Sequence, residues 1–285
     1  MRAVLAVFLF TSLFVSPLSA QELSGTLKQI KDSGVVRIGF RETEPPMSFL
    51  KDGRIPSGYS IDLCNLIVTA LQTKLGTDLK TSYVPVTADN RFSALTENKI
   101  DILCGSTTQT LARREIVDFT LITFLTGASL MSLKSSFLLD FPSLDGKKVG
   151  VVKNTTTVKA LRATIKKSQT NATVVELDSA REGLEQLRSG AIDAFSADQV
   201  VLIGLALSSE DVANFAISPG VFSFEPFALA VRRNDADFRL VADRVIAHLY
   251  QTGQILPIYE KWMGRFAAQR PPAFDTLIEL NAIPE

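Results

Sequence analysis

Histidine is almost missing from this 285-residue chain, occurring once, at His248. That scarcity removes the usual proton-transfer partner of a serine or cysteine nucleophile and the commonest protein ligand of a transition metal. Cysteine is nearly as scarce. Cys64 and Cys104 stand alone, too few for a zinc or iron–sulfur cage, so no metal or other cofactor is expected. Excess charge is lacking too, because 30 Lys and Arg residues face 30 Asp and Glu. A balanced chain has no basic footprint for nucleic acid or an anionic bilayer, and both are set aside as partners. After the first residues no run of 18 uninterrupted apolar side chains occurs, so no later membrane span is predicted.

What is present begins with an export signal. Arg2 is the only charge before Glu22, Ala3 to Val15 is almost wholly apolar, and Ser16-Pro17-Leu18-Ser19-Ala20 supplies a helix breaker and a small residue for cleavage near Ala20. Leu18 is a poor match to the small residue preferred three positions before the cut. The apolar run is too short to span a bilayer, and with no cysteine behind it a lipid anchor is not expected. A periplasmic, monomeric mature protein is. Export places Cys64 and Cys104 in an oxidising compartment, where they form either one disulfide or two buried thiols.

The body alternates strands and helices. Val35 to Phe40 reads as a buried strand, and Pro45-Pro46 and Asp52-Gly53 as turns. Ser60 is placed to cap a helix over Ile61–Leu75. Thr81–Val86 and Ile100–Cys104 read as strands around a helix over Arg91–Glu97. The pattern then restarts, with strands over Lys148–Val152, Thr173–Leu177 and Ile192–Ser196 and helices over Thr156–Lys166 and Ala180–Arg188. Strands that alternate with helices predict an α/β fold, each lobe a mainly parallel sheet flanked by helices, with a cleft between lobes. Leu95-Thr96-Glu97-Asn98-Lys99-Ile100-Asp101 and Leu187-Arg188-Ser189-Gly190-Ala191-Ile192-Asp193 share one helix–turn–strand grammar. Ser106 lies five residues beyond Asp101, and Asp198 five beyond Asp193. If the lobes are copies, both residues leave equivalent strands at their carboxyl ends, where open α/β sheets bind ligands. The C-terminal stretch, a strand over Phe227–Arg232 and helices over Phe238–Gln251 and Ile255–Phe266, is expected to pack on the first lobe. That divides the chain into a signal (1–20), a discontinuous first lobe (21–128 plus 227–285) and a second lobe (129–226), with crossings near Ala128–Ser132 and Phe222–Phe227.

Three polar clusters are candidates for holding a ligand. Gly105-Ser106-Thr107-Thr108 leads from an apolar strand towards Arg113; hydroxyls, backbone N–H groups and a guanidinium suit a carboxylate, or else they cap a helix beside a solvated Arg113. Asn154-Thr155-Thr156-Thr157 sits at a second strand-to-helix turn and either caps that helix or donates to the same carboxylate. Asp198 either caps the helix after it or accepts from an ammonium group.

Phe40-Arg41-Glu42, Pro46-Met47-Ser48-Phe49, Gly58-Tyr59-Ser60-Ile61-Asp62-Leu63 and the run from Cys104-Gly105-Ser106-Thr107-Thr108 through Arg113 to Val117-Asp118-Phe119 resemble the family 3 solute-binding proteins of ABC importers, over nearly the whole mature chain. Pro85-Val86-Thr87-Ala88-Asp89-Asn90-Arg91 is most similar to the glutamate/aspartate-binding group. The resemblance implies an amino-acid ligand, a membrane permease as partner and closure of two lobes on the ligand. It implies that Arg113, Thr108 and Thr156 receive the α-carboxylate, that Ser106 and Asp198 face the α-ammonium, that Arg41 and Arg91 meet a side-chain carboxylate, and that Phe49 lines the pocket. Glu42, Glu44 and Asp89 are alternative surface partners for those two arginines. The sequence departs from that group at Ala88 and Ala180, where the pattern has a pocket Ser and a pocket His, and both changes remove donors from the side-chain end.

Two other readings compete: an enzyme of the cyclohexadienyl dehydratase type, and a ligand sensor for a signalling partner. The lone His248 falls in a C-terminal helix where solvent exposure or a cap is its expected role, and no appended output segment is seen.

Overall fold

A computed structural model describes residues 22–266 and 270–285, so the signal segment and its cleavage site lie outside the described residues. Two five-stranded sheets of one design organise the chain. The first runs in the order Lys80–Pro85, Val35–Phe40, Ile102–Cys104, Glu225–Arg232, Val117–Thr126; the second in the order Thr173–Leu177, Lys148–Val152, Ala194–Asp198, Ala128–Leu133, Phe215–Ile217. In each sheet the first three strands are parallel and the fourth is antiparallel to both neighbours. The mainly parallel sheet expected from the sequence therefore carries one reversed strand per lobe. A hairpin-like strip of three short strands, Thr43–Glu44, Ser48–Lys51 and Ile55–Ser57, stands beside the first sheet.

The internal repeat has a physical basis. Asp101 accepts a hydrogen bond from the Arg37 backbone N–H at 2.8 Å and returns its own N–H to the Arg37 carbonyl at 2.8 Å. Asp193 does the same with Lys148, both at 2.8 Å. Each aspartate thus pins the third strand of its sheet to the second, its neighbour, which sets the register of the ends that face the cleft.

The chain passes from the first sheet to the second at Gly127, directly between Val117–Thr126 and Ala128–Leu133, and returns between Ile217 and Glu225. The first crossing is therefore earlier than expected, because Ala128 to Ser132 is already paired in the second sheet, where Asp198 lies opposite Ala128. The C-terminal helices Ala236–Gln251 and Ile255–Met263 pack on the first sheet. Tyr250 donates its hydroxyl to the Thr123 carbonyl at 2.9 Å, Tyr259 stacks on Phe124 with ring centroids 6.4 Å apart, and the Trp262 indole N–H reaches Asp62 at 2.6 Å. A further helix, Pro272–Asn281, puts Phe274 4.3 Å from the Tyr259 ring. His248 is exposed near the end of its helix.

Ser60 is not the cap of its helix. The helix runs Tyr59–Leu75 and its N-cap is Gly58 at φ 138, a conformation that disfavours any side chain, and a Cβ there would lie 2.3 Å from the Met47 carbonyl oxygen. Ser60, the second residue of that helix, is buried and donates to the Gly105 carbonyl at 3.1 Å. From the same helix Cys64 forms a disulfide with Cys104, so of the two states open to the cysteines the bonded one is realised.

Candidate functional site

The polar clusters all leave the carboxyl ends of parallel strands. Arg41 follows Val35–Phe40, Arg91 follows Lys80–Pro85, Ser106 and Thr108 follow Ile102–Cys104, Thr156 follows Lys148–Val152, and Asp198 ends Ala194–Asp198. The two sheets turn these ends towards each other. Thr108 and Thr156 bring their hydroxyl oxygens to 3.3 Å, and the Arg91 guanidinium donates to the Asn154 carbonyl at 3.0 Å. Asn154 has φ 56, the left-handed region that Asn tolerates better than most residues, and its side-chain amide donates to Asp89 at 2.6 Å.

Two acidic residues complete the set: Glu225, which no local sequence pattern marks, and Glu44, expected at the surface. Glu225, only 2% exposed, accepts from Thr108 at 2.6 Å and from Thr156 at 2.7 Å through one oxygen, and from Ser223 at 2.7 Å through the other. Glu44, 6% exposed, pairs with Arg41 at 2.8 Å and accepts the Ser106 hydroxyl. The Arg41–Glu44 partnership was foreseen only as a surface alternative, yet Arg41 is itself 5% exposed. Nothing in the local pattern Glu42-Thr43-Glu44-Pro45-Pro46 distinguishes a buried glutamate. Glu225 opens a strand that was expected to start at Phe227.

Asp198 is the N-cap residue of the helix Gln199–Leu207, but its side chain makes no cap hydrogen bond, and its Oδ1 is buried without a partner. Burial, with Glu225 and Glu44 nearby, raises its carboxyl well above the usual range; Arg113 offsets this only in part. A cation is the natural complement of such an oxygen. The Arg113 guanidinium donates to the Thr108 carbonyl at 2.6 Å. Burial lowers its pKa, while Glu225 and Asp198 oppose the shift. Arg91 is pulled down to about 9, first by burial and then by Arg113 and Arg41. Both Arg91 and Arg113 lie over the Phe92 ring, at 4.5 and 5.3 Å from its centroid.

A cavity of about 30 Å³, lined by Glu44, Ser106, Thr155, Ala180 and Asp198, lies between the sheets. It has room for about one water, so the facing edges are closed down. Of the residues expected to hold a ligand only Ser106 and Asp198 line it; Arg41, Arg91, Thr108, Arg113 and Thr156 do not, and neither does Phe49. Its ring meets Trp262 edge-on at 5.8 Å and borders a separate cleft of about 510 Å³ with Arg181 and Arg188. A third groove, of about 460 Å³ beside Leu66 and His248, shares none of its lining residues with the candidate site. Among the described residues no group of His, Cys, Asp and Glu has metal-binding geometry.

Residues 36–265 match the family described as bacterial extracellular solute-binding proteins, family 3. The chain belongs to this family. An L-glutamate/L-aspartate-binding protein of Pseudomonas aeruginosa is 33% identical over 95% of this chain and 89% of its own length. A glutamate/aspartate import solute-binding protein of Escherichia coli is 29% identical over 91% and 86%. Among solved structures, a solute receptor for L-cysteine of Neisseria gonorrhoeae superposes with a TM-score of 0.74 at 26% identity, covering 87% of this chain and 98% of that one. The family 3 fold is the two-lobed α/β architecture described above, and the relatives that match over most of both chains are named as binding proteins, which favours solute binding over the dehydratase alternative: this chain is a binding protein, not an enzyme.

Proposed function

We propose that this family 3 protein is the exported binding component of an ABC importer and clasps an L-α-amino acid between its two lobes. The observation that carries the reading is the convergence of Arg113 and Asp198 from two facing sheet edges, with an unpartnered oxygen of Asp198 buried there. A zwitterion needs opposite fixed charges at its two ends, and a buried ammonium needs a carboxylate. In this reading Arg113, Thr108 and Thr156 hold the α-carboxylate, and Ser106 and Asp198 hold the α-ammonium. Arg41 and Arg91 bound the side-chain end. The names of the relatives make glutamate and aspartate the first ligands to try.

The lobes are taken as 21–128 plus 227–285 and 129–226, adjusted by a residue or two where Ala128 pairs in the second sheet and Glu225 in the first, and hinged at the two crossings, with ligand stabilising the closed form through contacts to both. The mature protein, cut near Ala20, then acts as a monomer that presents its closed face to a permease.

Thermal-shift screening of the mature protein against all amino acids tests this. At least one should raise Tm by several degrees, with a dissociation constant near micromolar, about −8 kcal/mol. Arg113→Met should remove the shift. A panel without any shift would refute the reading.

A further inference from the structure

We propose that Glu44 determines side-chain specificity, and that the pocket is built for a neutral amino acid whose side chain ends in a carboxamide rather than a carboxylate. This rests on the amino-acid reading above and adds the ligand class.

Charge balance is the first ground. Three arginines (Arg41, Arg91 and Arg113) and three carboxylates (Glu44, Asp198 and Glu225) converge where the sheets meet, and Arg41, Glu44, Arg91 and Glu225 are each at least nine-tenths buried. Asp198, ionised as it must be to hold an ammonium, brings the set to zero. A zwitterion with a neutral side chain keeps it there. A dicarboxylate adds an unbalanced negative charge to a site whose cavity holds about one water, and such a charge is expensive to bury.

Hydrogen-bond chemistry is the second. Arg41 is no longer a free cation, because Glu44 lies against it at 2.8 Å and is held there by the Ser106 hydroxyl. The pair offers guanidinium donors on one side and carboxylate acceptors on the other. A carboxamide answers both, with its oxygen towards Arg41 and its NH₂ towards Glu44. A carboxylate has acceptors only, so it must either face Glu44 at like charge or displace it into a buried position without a partner. Glu44 also lines the cavity that contains Asp198, as does Ala180, whose methyl adds no donor to steady a second acid. A basic side chain fits no better, since it would approach three guanidinium groups.

Calorimetric titration of the mature protein with glutamine, asparagine, glutamate, aspartate, arginine and leucine at pH 7.5 is the test, repeated with Glu44→Gln. The native protein should bind glutamine or asparagine at least tenfold more tightly than either acid, and Glu44→Gln should shift that ratio at least tenfold towards the acids. Tighter binding of an acid, of arginine or of leucine by the native protein overturns the proposal, as does a folded Glu44→Gln variant with an unchanged ratio. The native profile decides on its own if the variant fails to fold. Binding of no amino acid at all is a distinct result, one that removes the functional reading underneath.

Discussion

Asp198 carries the sharpest consequences at the residue scale. Burial and two neighbouring glutamates favour its protonated form, whereas an ammonium ligand requires the ionised form. Uptake of an amino acid should therefore release a proton, and affinity should fall as pH drops through the raised pKa. Titrations in two buffers with different ionisation enthalpies should give different heats, and identical heats would argue against the coupling. The stability effect has the opposite sign. A carboxyl whose pKa is higher folded than unfolded binds its proton preferentially in the folded state, so without added ligand the protein should gain stability as pH falls through the raised value, with the gain complete below about 4. Asp198→Asn keeps the shape and drops the charge. It should abolish binding and, at neutral pH without added amino acid, raise Tm by a few degrees. Arg113 and Asp198 were legible in the sequence as candidates, because they follow apolar strands as abrupt polar bursts, whereas Arg41 and Arg91 came only from the family resemblance. Glu44 and Glu225 were not: a glutamate beside a double proline or at the start of a strand looks like any solvated carboxylate until tertiary packing buries it.

At the scale of elements, the parallel strands and the helices between them were readable from periodicity to within a residue or two. The reversed fourth strands and the helix Pro272–Asn281 were not. The reversed strands pair across long separations in sequence, Ala128–Leu133 with Ala194–Asp198 and Glu225–Arg232 with Ile102–Cys104, and no local pattern encodes a distant partner. The last helix begins at a proline and gains its stability from packing Phe274 against Tyr259. Two tests belong at this scale. The Cys64–Cys104 disulfide closes a loop across a separation of 40 residues, worth about 4 kcal/mol by loop entropy. Replacing both by Ser should lower Tm by roughly 8–16 °C, and an unchanged Tm would show the bond to be dispensable. The second concerns the contact between the lobes. A Cβ on Gly204, in the helix Gln199–Leu207, would lie 2.2 Å from the Pro45 carbonyl oxygen. Gly204→Val should hold the two surfaces apart by steric overlap of about 1–3 kcal/mol and weaken ligand binding roughly ten- to hundredfold. Affinity equal to the native protein would mean that these surfaces need not meet.

At the scale of the whole molecule, the question is what brings the two sheets together. Glu225 opens the strand that returns to the first sheet, yet one of its oxygens accepts hydroxyls from both sides, Thr108 after the first sheet's third strand and Thr156 at the start of a helix in the second unit. These are the hydroxyls assigned above to a ligand carboxylate, and each has one proton to give, so an internal carboxylate already makes the bridge that a ligand carboxylate would take over. A hydrogen bond to a charged acceptor contributes about 1.5–3 kcal/mol, and loss of the Thr156 bond alone should move the ratio of closed to open molecules by roughly ten- to a hundredfold. Glu225→Ala should therefore enlarge the radius of gyration measured by X-ray scattering without added amino acid, and a saturating amino acid should contract it again, because the ligand supplies its own carboxylate to Thr108, Thr156 and Arg113. Gly204→Val should also be enlarged, but a saturating ligand should not restore it, since its obstacle is steric. If Glu225→Ala scatters like the native protein under both conditions, closure draws its energy from elsewhere, with the Arg91–Asn154 and Asn154–Asp89 contacts at the rim as the next candidates.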